Sequence, residues 1–455
     1  MISRYMNRFN FLFLVGVLLP LLCFVPSIVH IAFSDGLFME NLPPATVGDR
    51  QASLFTKVSP PVLTSDSDQK RFFEVRLYDA KTGNNITNVN YFVTVTKGGN
   101  LLMRELFYSK SGPLKIEIIP RPTKETVVFG STEPFLGGYM SENDQVTVQG
   151  PILLEGGLYH FNIEIFGIDR PNNIFNTLDP KSVPKFDSYL SVGDVFKENL
   201  TYNKVVYNST LISYYDKIRG FNFDSPKLLA SWAMPFDWNL SRIKAVNIFV
   251  HEEFRVPKDF SQFSNNTSFN ATVNGQPVLG RSLAIDPFTS DKALIIHYLL
   301  TKNDIVKLAQ MKNVTDGSNN TMKFTLTPKG PESKQSSTDI ITDTGGIRAT
   351  LSWSPNPPVA TSEATLTLKF SDALSDSSLK ADVNYDLSIR SSDGKEIMSK
   401  DSQVALNGTS TQKLTFPATG QYLVEVHVKS LKYNGQPSPD TGRNGIARGF
   451  VVVPK

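Results

Sequence analysis

Cysteine is nearly absent: Cys23 is the only one in 455 residues, and it lies inside an apolar segment near the N-terminus. The rest of the chain therefore has no disulfide, no thiolate metal site and no cysteine nucleophile. A eukaryotic secreted protein of this size would usually carry disulfides, so their absence points towards an archaeal or bacterial surface protein. Histidine is scarce, with five, and tryptophan scarcer, with three. Neither sign of charge dominates: 46 Lys and Arg oppose 43 Asp and Glu, for a net charge of +3, with no long run of one sign. Neutralising phosphates needs a basic patch, so no nucleic-acid partner is expected. Catalytic motifs are missing as well. There is no Gly-x-Ser-x-Gly turn, and the run His251-Glu252-Glu253 is not the helical His-Glu-x-x-His of zinc proteases. The Asp-rich turn at 371–378, SDALSDSS, lacks the spacing and glycine of a calcium loop. No cofactor and no intrinsic catalysis are expected.

What the chain does have is one long apolar stretch. Residues 9–33, opening on Phe9 and closing on Phe33, carry no charged side chain. As a helix they would span about 37 Å at 1.5 Å per residue, enough to cross a hydrocarbon core of about 30 Å. Arg4 and Arg8 precede them, and Asp35 and Glu40 follow. The positive-inside rule then keeps the N-terminus in the cytoplasm and places everything after residue 35 outside. A retained signal anchor over 1–35 is the expectation. The alternative is cleavage after Ala32-Phe33-Ser34, which would release the protein before Asp35. Cys23 follows Leu22, where a lipoprotein signal has a small residue, so lipidation is the weakest of the three. The chain closes on Val451-Val452-Val453-Pro454-Lys455 without a second apolar span, so anchoring is expected at the N-terminus or not at all.

Asn-x-Ser/Thr triplets are dense, headed by Asn85, Asn199, Asn208, Asn239, Asn265, Asn266, Asn270, Asn313, Asn319 and Asn407. On an exported chain these suggest an N-glycosylated surface. An Asn- and Thr-rich set of β turns would read the same way.

Residues 36–60 form a linker punctuated by Pro43, Pro44 and Pro60. From Arg71 the hydrophobic period becomes two. Phe73, Val75 and Leu77 alternate with Glu74, Arg76 and Tyr78, and the pattern recurs through Tyr91, Val93, Val95, Leu114, Ile116, Ile118, Val146, Val148, Tyr159, Phe161, Ile163 and Ile165. Short alternating runs between Gly, Pro, Asn and Asp turns predict an immunoglobulin-like β-sandwich over 61–169. The layout returns over 347–455. RFFEVRLYDA (71–80) aligns with ATLTLKFSDA (364–373), Asn88-Val89-Asn90-Tyr91 with Asp382-Val383-Asn384-Tyr385, and GGLYHFNIEIFGID (156–169) with TGQYLVEVHVKSLK (419–432). Both late strands open on Gly-x-Tyr, the pattern of a tyrosine corner. Residues 170–330 form a β-rich middle domain with strand-like pieces at 205–215, 245–256, 268–273, 293–300 and 322–326. Two short helices interrupt it, with Asp237 and Asn303 as the expected caps. Residues 331–346 are a polar linker. The fold class is thus mainly β: tandem immunoglobulin-like sandwiches flanking a β-rich middle domain, after an N-terminal transmembrane helix.

The runs PILLEGGLYHFNIEIFGID (151–169), KFDSYLSVGDVF (185–196), ISYYDKI (212–218), WAMPFDWNLSRIKAVNIFVHEEFRVPK (232–258) and FNATVNGQPVLGRSLAIDPF (269–288) resemble an uncharacterised exported, N-terminally anchored β-sandwich protein family of ammonia-oxidising archaea. The likeness covers roughly residues 50–330, and the last module is similar to β-sandwich repeats on surface proteins of the same organisms. It implies a compartment and a lineage, and it assigns no site residue.

Few side chains are candidates for chemistry. In a strand, His251 and Glu253 share a face with Phe249 and Arg255, whereas Glu252 falls among Ile248, Val250, Phe254 and Val256. A core-facing carboxylate needs a partner. Arg242, Lys244, Arg219 or a metal could supply it, and a structural salt bridge is favoured over a metal site at His251, Glu252 and Glu253. His297, within an apolar run, reads as a hydrogen-bonded core residue. His160 and His427 read as solvent-facing, and Trp232 to Trp238 as core packing rather than a sugar- or partner-binding patch. The function expected is a membrane-anchored, extracytoplasmic cell-surface protein with a structural or recognition role, meeting other envelope proteins or glycans. The alternatives are a copper or small-ligand binding protein using the middle domain, although Met234 and His251 alone are a poor copper set, and an accessory subunit of a membrane enzyme complex.

Overall fold

The computed structural model describes residues 38–454 apart from 65–68, 141–144, 177, 180, 247, 267, 279, 287–289, 312–319, 330–338, 374–376, 434–435 and 438–443. The apolar stretch at 9–33 and the sequons of Asn313 and Asn319 lie outside the described residues. Among the described residues no helix is long and apolar enough to cross a membrane.

The protein is mainly β, and the alternating runs become strands. One sheet of the N-terminal region orders Arg50–Ser59, Arg71–Asp79, Leu114–Pro120 and Gln145–Gly150, and a second orders Asn100–Ser109, Val89–Lys97, Gly157–Gly167 (β1) and Lys185–Tyr202 (β2). Their alternate residues meet in one core that includes Leu54, Val75, Leu77, Val93, Ile116 and Ile163. Phe73 of one sheet stacks on Phe161 of the other, with centroids 4.2 Å apart.

The C-terminal region repeats this order: Ile347–Ser354, Glu363–Asp372 and Thr409–Thr415 in one sheet, with Glu396–Ala405 and Asp382–Ser391 beginning the other. Each Gly-x-Tyr motif closes the same bond. The Tyr159 hydroxyl donates to the Glu155 carbonyl at 2.5 Å, and that of Tyr422 to the Ala418 carbonyl at 2.6 Å. Tyr422→Phe deletes this donor while keeping the ring, so urea unfolding should show a loss of about 1–2 kcal/mol. No measurable loss would mean that the corner is not holding the loop.

Strand β2 ties the first region to the middle one. Its first half pairs with β1, from Gly157 opposite Val192 to Glu164 opposite Lys185, and its second half pairs with Val205–Ser213 (β3), from Asp194 opposite Ser213 to Tyr202 opposite Val205. Between the halves, Gly193 lets the neighbouring chain approach: a Cβ there would lie 2.9 Å from the Tyr214 ring. The sheet continues through Val250–Pro257 (β4) to Ala293–Leu300, with Leu283–Asp286 (β5) at its edge; Ala293–Leu300 is β6. One face of β4 and β6 packs against a separate five-stranded sheet, in a core holding Trp232, Phe254, Ile296, Tyr298 and Phe324.

Both longer helices lie where expected, but their caps do not. Leu240–Ala245 is capped by Asn239, whose side chain accepts from the Arg242 amide, and Asp237 instead accepts from the Asn239 amide. Lys302–Gln310 is capped by Thr301, not Asn303. Thr301 and Asp304 satisfy each other's backbone amides in a capping box, which leaves Asn303 inside the first turn.

The opposite face of β4 and β6 is covered by the C-terminal region. Gly345, at φ +73°, approaches the Phe249 ring so closely that a Cβ would fall 2.5 Å from it. Gly420–Tyr433 (β7) and Gly445–Val453 (β8) complete the last sheet, and Arg448 of β8 reaches both Glu425 on β7, at 3.0 Å, and Asp286 on β5, at 3.5 Å. The strand Asp339–Ile341 and the Thr342–Ala447 bridge fasten the chain entering this region.

Candidate functional site

Strand periodicity sorts the His251-Glu252-Glu253 run onto two faces of β4. Glu252 points into the middle core and is fully buried. None of Arg242, Lys244 and Arg219 is its partner. Its partner is Ser213, directly opposite in the register, whose hydroxyl donates to Glu252 Oε1 at 2.7 Å. Burial pushes the carboxyl pKa well above its ordinary range, with the Ser213 hydrogen bond opposing and Asp216 and Glu253 adding to the rise. Burial thus favours the protonated form of Glu252 in the folded protein. Because the folded pKa exceeds the unfolded one, the group's contribution is full below the unfolded pKa and is lost as pH rises towards the folded value. Glu252→Gln keeps the shape without the ionisable proton. Its urea midpoint should match the wild type near pH 4.5 and exceed it at pH 8. Parallel pH profiles for the two proteins would contradict this assignment.

His251 and Glu253 point to the other face, and β6 adds His297, buried and hydrogen-bonded as its apolar run predicts. Glu253 is opposite His297 in the β4–β6 register. His251 Nε2 and His297 Nδ1 are 3.1 Å apart, and Glu253 Oε1 lies 3.8 Å from the first and 4.0 Å from the second. All three residues are buried, at 5%, 7% and 6% exposure for His251, Glu253 and His297, so bulk water does not separate their charges. Only the register of β4 on β6 reveals the third member; in sequence His297 stands 44 residues after Glu253 in an otherwise apolar run.

The surroundings fix the protonation states. Burial lowers the His251 pKa to about 4 against the opposing field of Glu253, and burial lowers that of His297 as well. Both rings are neutral at pH 7, with lone pairs to offer. Burial alone would raise the Glu253 pKa, but His297, His251 and Arg255 overcome it and bring it to about 2. Arg255 donates twice to Glu253 Oε2, at 3.0 and 2.7 Å, and the Tyr214 hydroxyl donates to Oε1 at 3.2 Å. The Tyr214 ring also stacks on His251, with centroids 4.6 Å apart. From the C-terminal region, Asp343 is close enough for its charge to act on His251. The arrangement is two neutral imidazoles and one carboxylate, converging, with the carboxylate held from behind by Arg255 and Tyr214.

The other singled-out residues have structural places. His160 bonds Asp187 at 2.8 Å and stacks on Tyr189, and His427 lies 3.8 Å from Asp386. Trp232 is in the middle core, and the Trp238 indole donates to the Thr321 carbonyl. A cleft of about 540 Å³ lies between the first and middle regions, lined by His160, Tyr189, Tyr215, Asp237 and Arg242 among others. Asn85, Asn199, Asn208, Asn239, Asn265, Asn270 and Asn407 are exposed and Asn266 half-buried.

No family model and no curated protein matches the chain. Among solved structures, a polysaccharide lyase is 8% identical over 88% of this chain and 46% of its own, with a TM-score of 0.16. Dimeric latent PorU from Porphyromonas gingivalis is 11% identical over 92% of this chain and 34% of its own, also with a TM-score of 0.16. The chain spans less than half the length of either, and likeness at this level carries no argument about fold or activity.

Proposed function

We propose that the chain is an extracytoplasmic cell-surface protein of an archaeal envelope, tethered by residues 9–33, with a structural or recognition role and no intrinsic catalysis. Its first and last regions are read as immunoglobulin-like sandwiches. In support, each packs strands of two sheets about one core, and each opens its late strand on a tyrosine corner. The observation that carries the functional reading is the continuity of the β fabric. Strand β2 belongs to two regions at once, and Arg448 joins the third to the edge of the middle sheet. A body built this way holds its outer surface in a fixed geometry, which suits bearing load or presenting a binding face.

Glycans on the exposed sequons would decorate that body, and Asn199 and Asn208, paired across β2 and β3, would place two side by side. The cleft between the first and middle regions is where an envelope protein or glycan would be met. Treating intact cells with a membrane-impermeant amine reagent tests the compartment. The exposed Lys227 and Lys413 should be modified without lysis, and modification only after lysis would overturn the reading.

A further inference from the structure

We propose that His251, His297 and Glu253 bind one first-row divalent cation, with zinc the best fit, at the seam between the middle sheet and the C-terminal region. The three donor atoms form a triangle with sides of 3.1, 3.8 and 4.0 Å. The point equidistant from corners so spaced is about 2.1 Å from each, matching the Zn–N distance of about 2.0–2.1 Å and the Zn–O distance of about 2.0–2.2 Å. Arg255 and Tyr214 hold Glu253, but no hydrogen bond links it to either imidazole. The His–His pair shares one proton between its facing nitrogens, and Glu253 Oε1 stands too far from both to accept one. A cation would engage all three at once.

The ligands sit on adjacent strands, two of them two residues apart and the third a register partner, so the sheet itself sets their spacing. Two of them, Glu253 and His251, are also supported from behind, as metal ligands usually are, whereas the outer nitrogen of His297, Nε2, is buried with no hydrogen-bond partner among the described residues. Arg255 and Tyr214 fix the two oxygens of Glu253, and Tyr214 packs on the His251 ring. Imidazole with a single carboxylate selects against magnesium and calcium, which take oxygen ligands, and zinc imposes no d-electron geometry on a nearly planar donor set. The site is buried and takes no substrate, so its role is structural. The C-terminal region lies over this face, where Gly345 closes on the ring of Phe249 two residues before His251, so the cation would sit beneath that region.

The test uses the full-length chain in mild detergent, freed of metal with a chelator and titrated with zinc, with magnesium as the control. One equivalent of zinc should bind and raise the melting temperature, while magnesium should do neither. His297→Gln and Glu253→Gln should each weaken zinc by about a hundred-fold or more, beyond the 10–100-fold that outer-shell changes cost. Cobalt added to the wild type provides a readout that needs no variant to fold, because a low-coordinate nitrogen and oxygen site gives a visible absorption band that zinc then abolishes. Absence of zinc uptake, variants that bind zinc as tightly as the wild type, or the lack of a zinc-sensitive cobalt band would overturn the proposal.

Discussion

Arg448→Met is expected to lower the unfolding free energy by about 3–5 kcal/mol, the cost of removing one partner from a buried ion pair. The guanidinium is 6% exposed and the Asp286 carboxylate 2% exposed, so water cannot replace the lost charge. Methionine preserves much of the volume, which makes the loss electrostatic rather than a cavity effect. The pair also crosses between regions, from β8 of the last sheet to β5 at the edge of the middle one. Amide exchange should therefore quicken along β5 and β8 together. Asp286→Asn in the same chain should recover part of the loss, because the residual carboxylate is then neutral. Additive effects of the two substitutions would show that Arg448 and Asp286 do not act as a pair.

Trp232→Ala should cost about 3–5 kcal/mol for a different reason, the loss of a large buried ring. Trp232 is 1% exposed and stacks on Phe324 at 5.4 Å, while Tyr298 and Phe254 meet it at 5.5 and 5.6 Å. These rings come from both sheets of the middle region, so truncation opens a void where they are held together. The indole N–H has no hydrogen-bond partner among the described residues. Trp232→Phe should accordingly cost less than half as much, since it gives up area without orphaning a polar group. Urea unfolding followed by intrinsic fluorescence and by circular dichroism would measure both, and equal losses for Ala and Phe would place the stabilisation elsewhere.

These two positions also show how far sequence carries. Trp232 was legible as core because the aromatic cluster from Trp232 to Trp238 favours packing over a binding patch. Alternation separated Glu252 from His251 and Glu253, since strand geometry is a local property with a period of two. The recurrence of Gly-x-Tyr gave both tyrosine corners, because the acceptor lies only four residues before the tyrosine, just ahead of the motif. What stayed hidden depends on register. Nothing local to Leu294 and Leu300 says that His297 will face Glu253, because that follows from which strands pair and at what offset. Strand β2 was missed as a strand for a related reason: where it passes from one pairing partner to the next, Leu190 to Gly193 are all buried, which interrupts the alternation of its 18 residues. The helix caps were misplaced by two residues because Asp237 and Asn303 are good caps in isolation, and the reciprocal bonding of Thr301 with Asp304 outweighs a single one.

The seam over β4 and β6 is where these strands of argument meet. Neutral histidines, an ionised glutamate and a covering region that brings Asp343 and Arg448 are assembled on one face of a rigid sheet. Crystals of the protein grown with zinc and measured on both sides of the zinc absorption edge give the most direct test. The account predicts one strong anomalous peak about 2.1 Å from His251 Nε2, His297 Nδ1 and Glu253 Oε1. A map with no peak there, and with His251 simply hydrogen-bonded to His297 at saturating zinc, would contradict it.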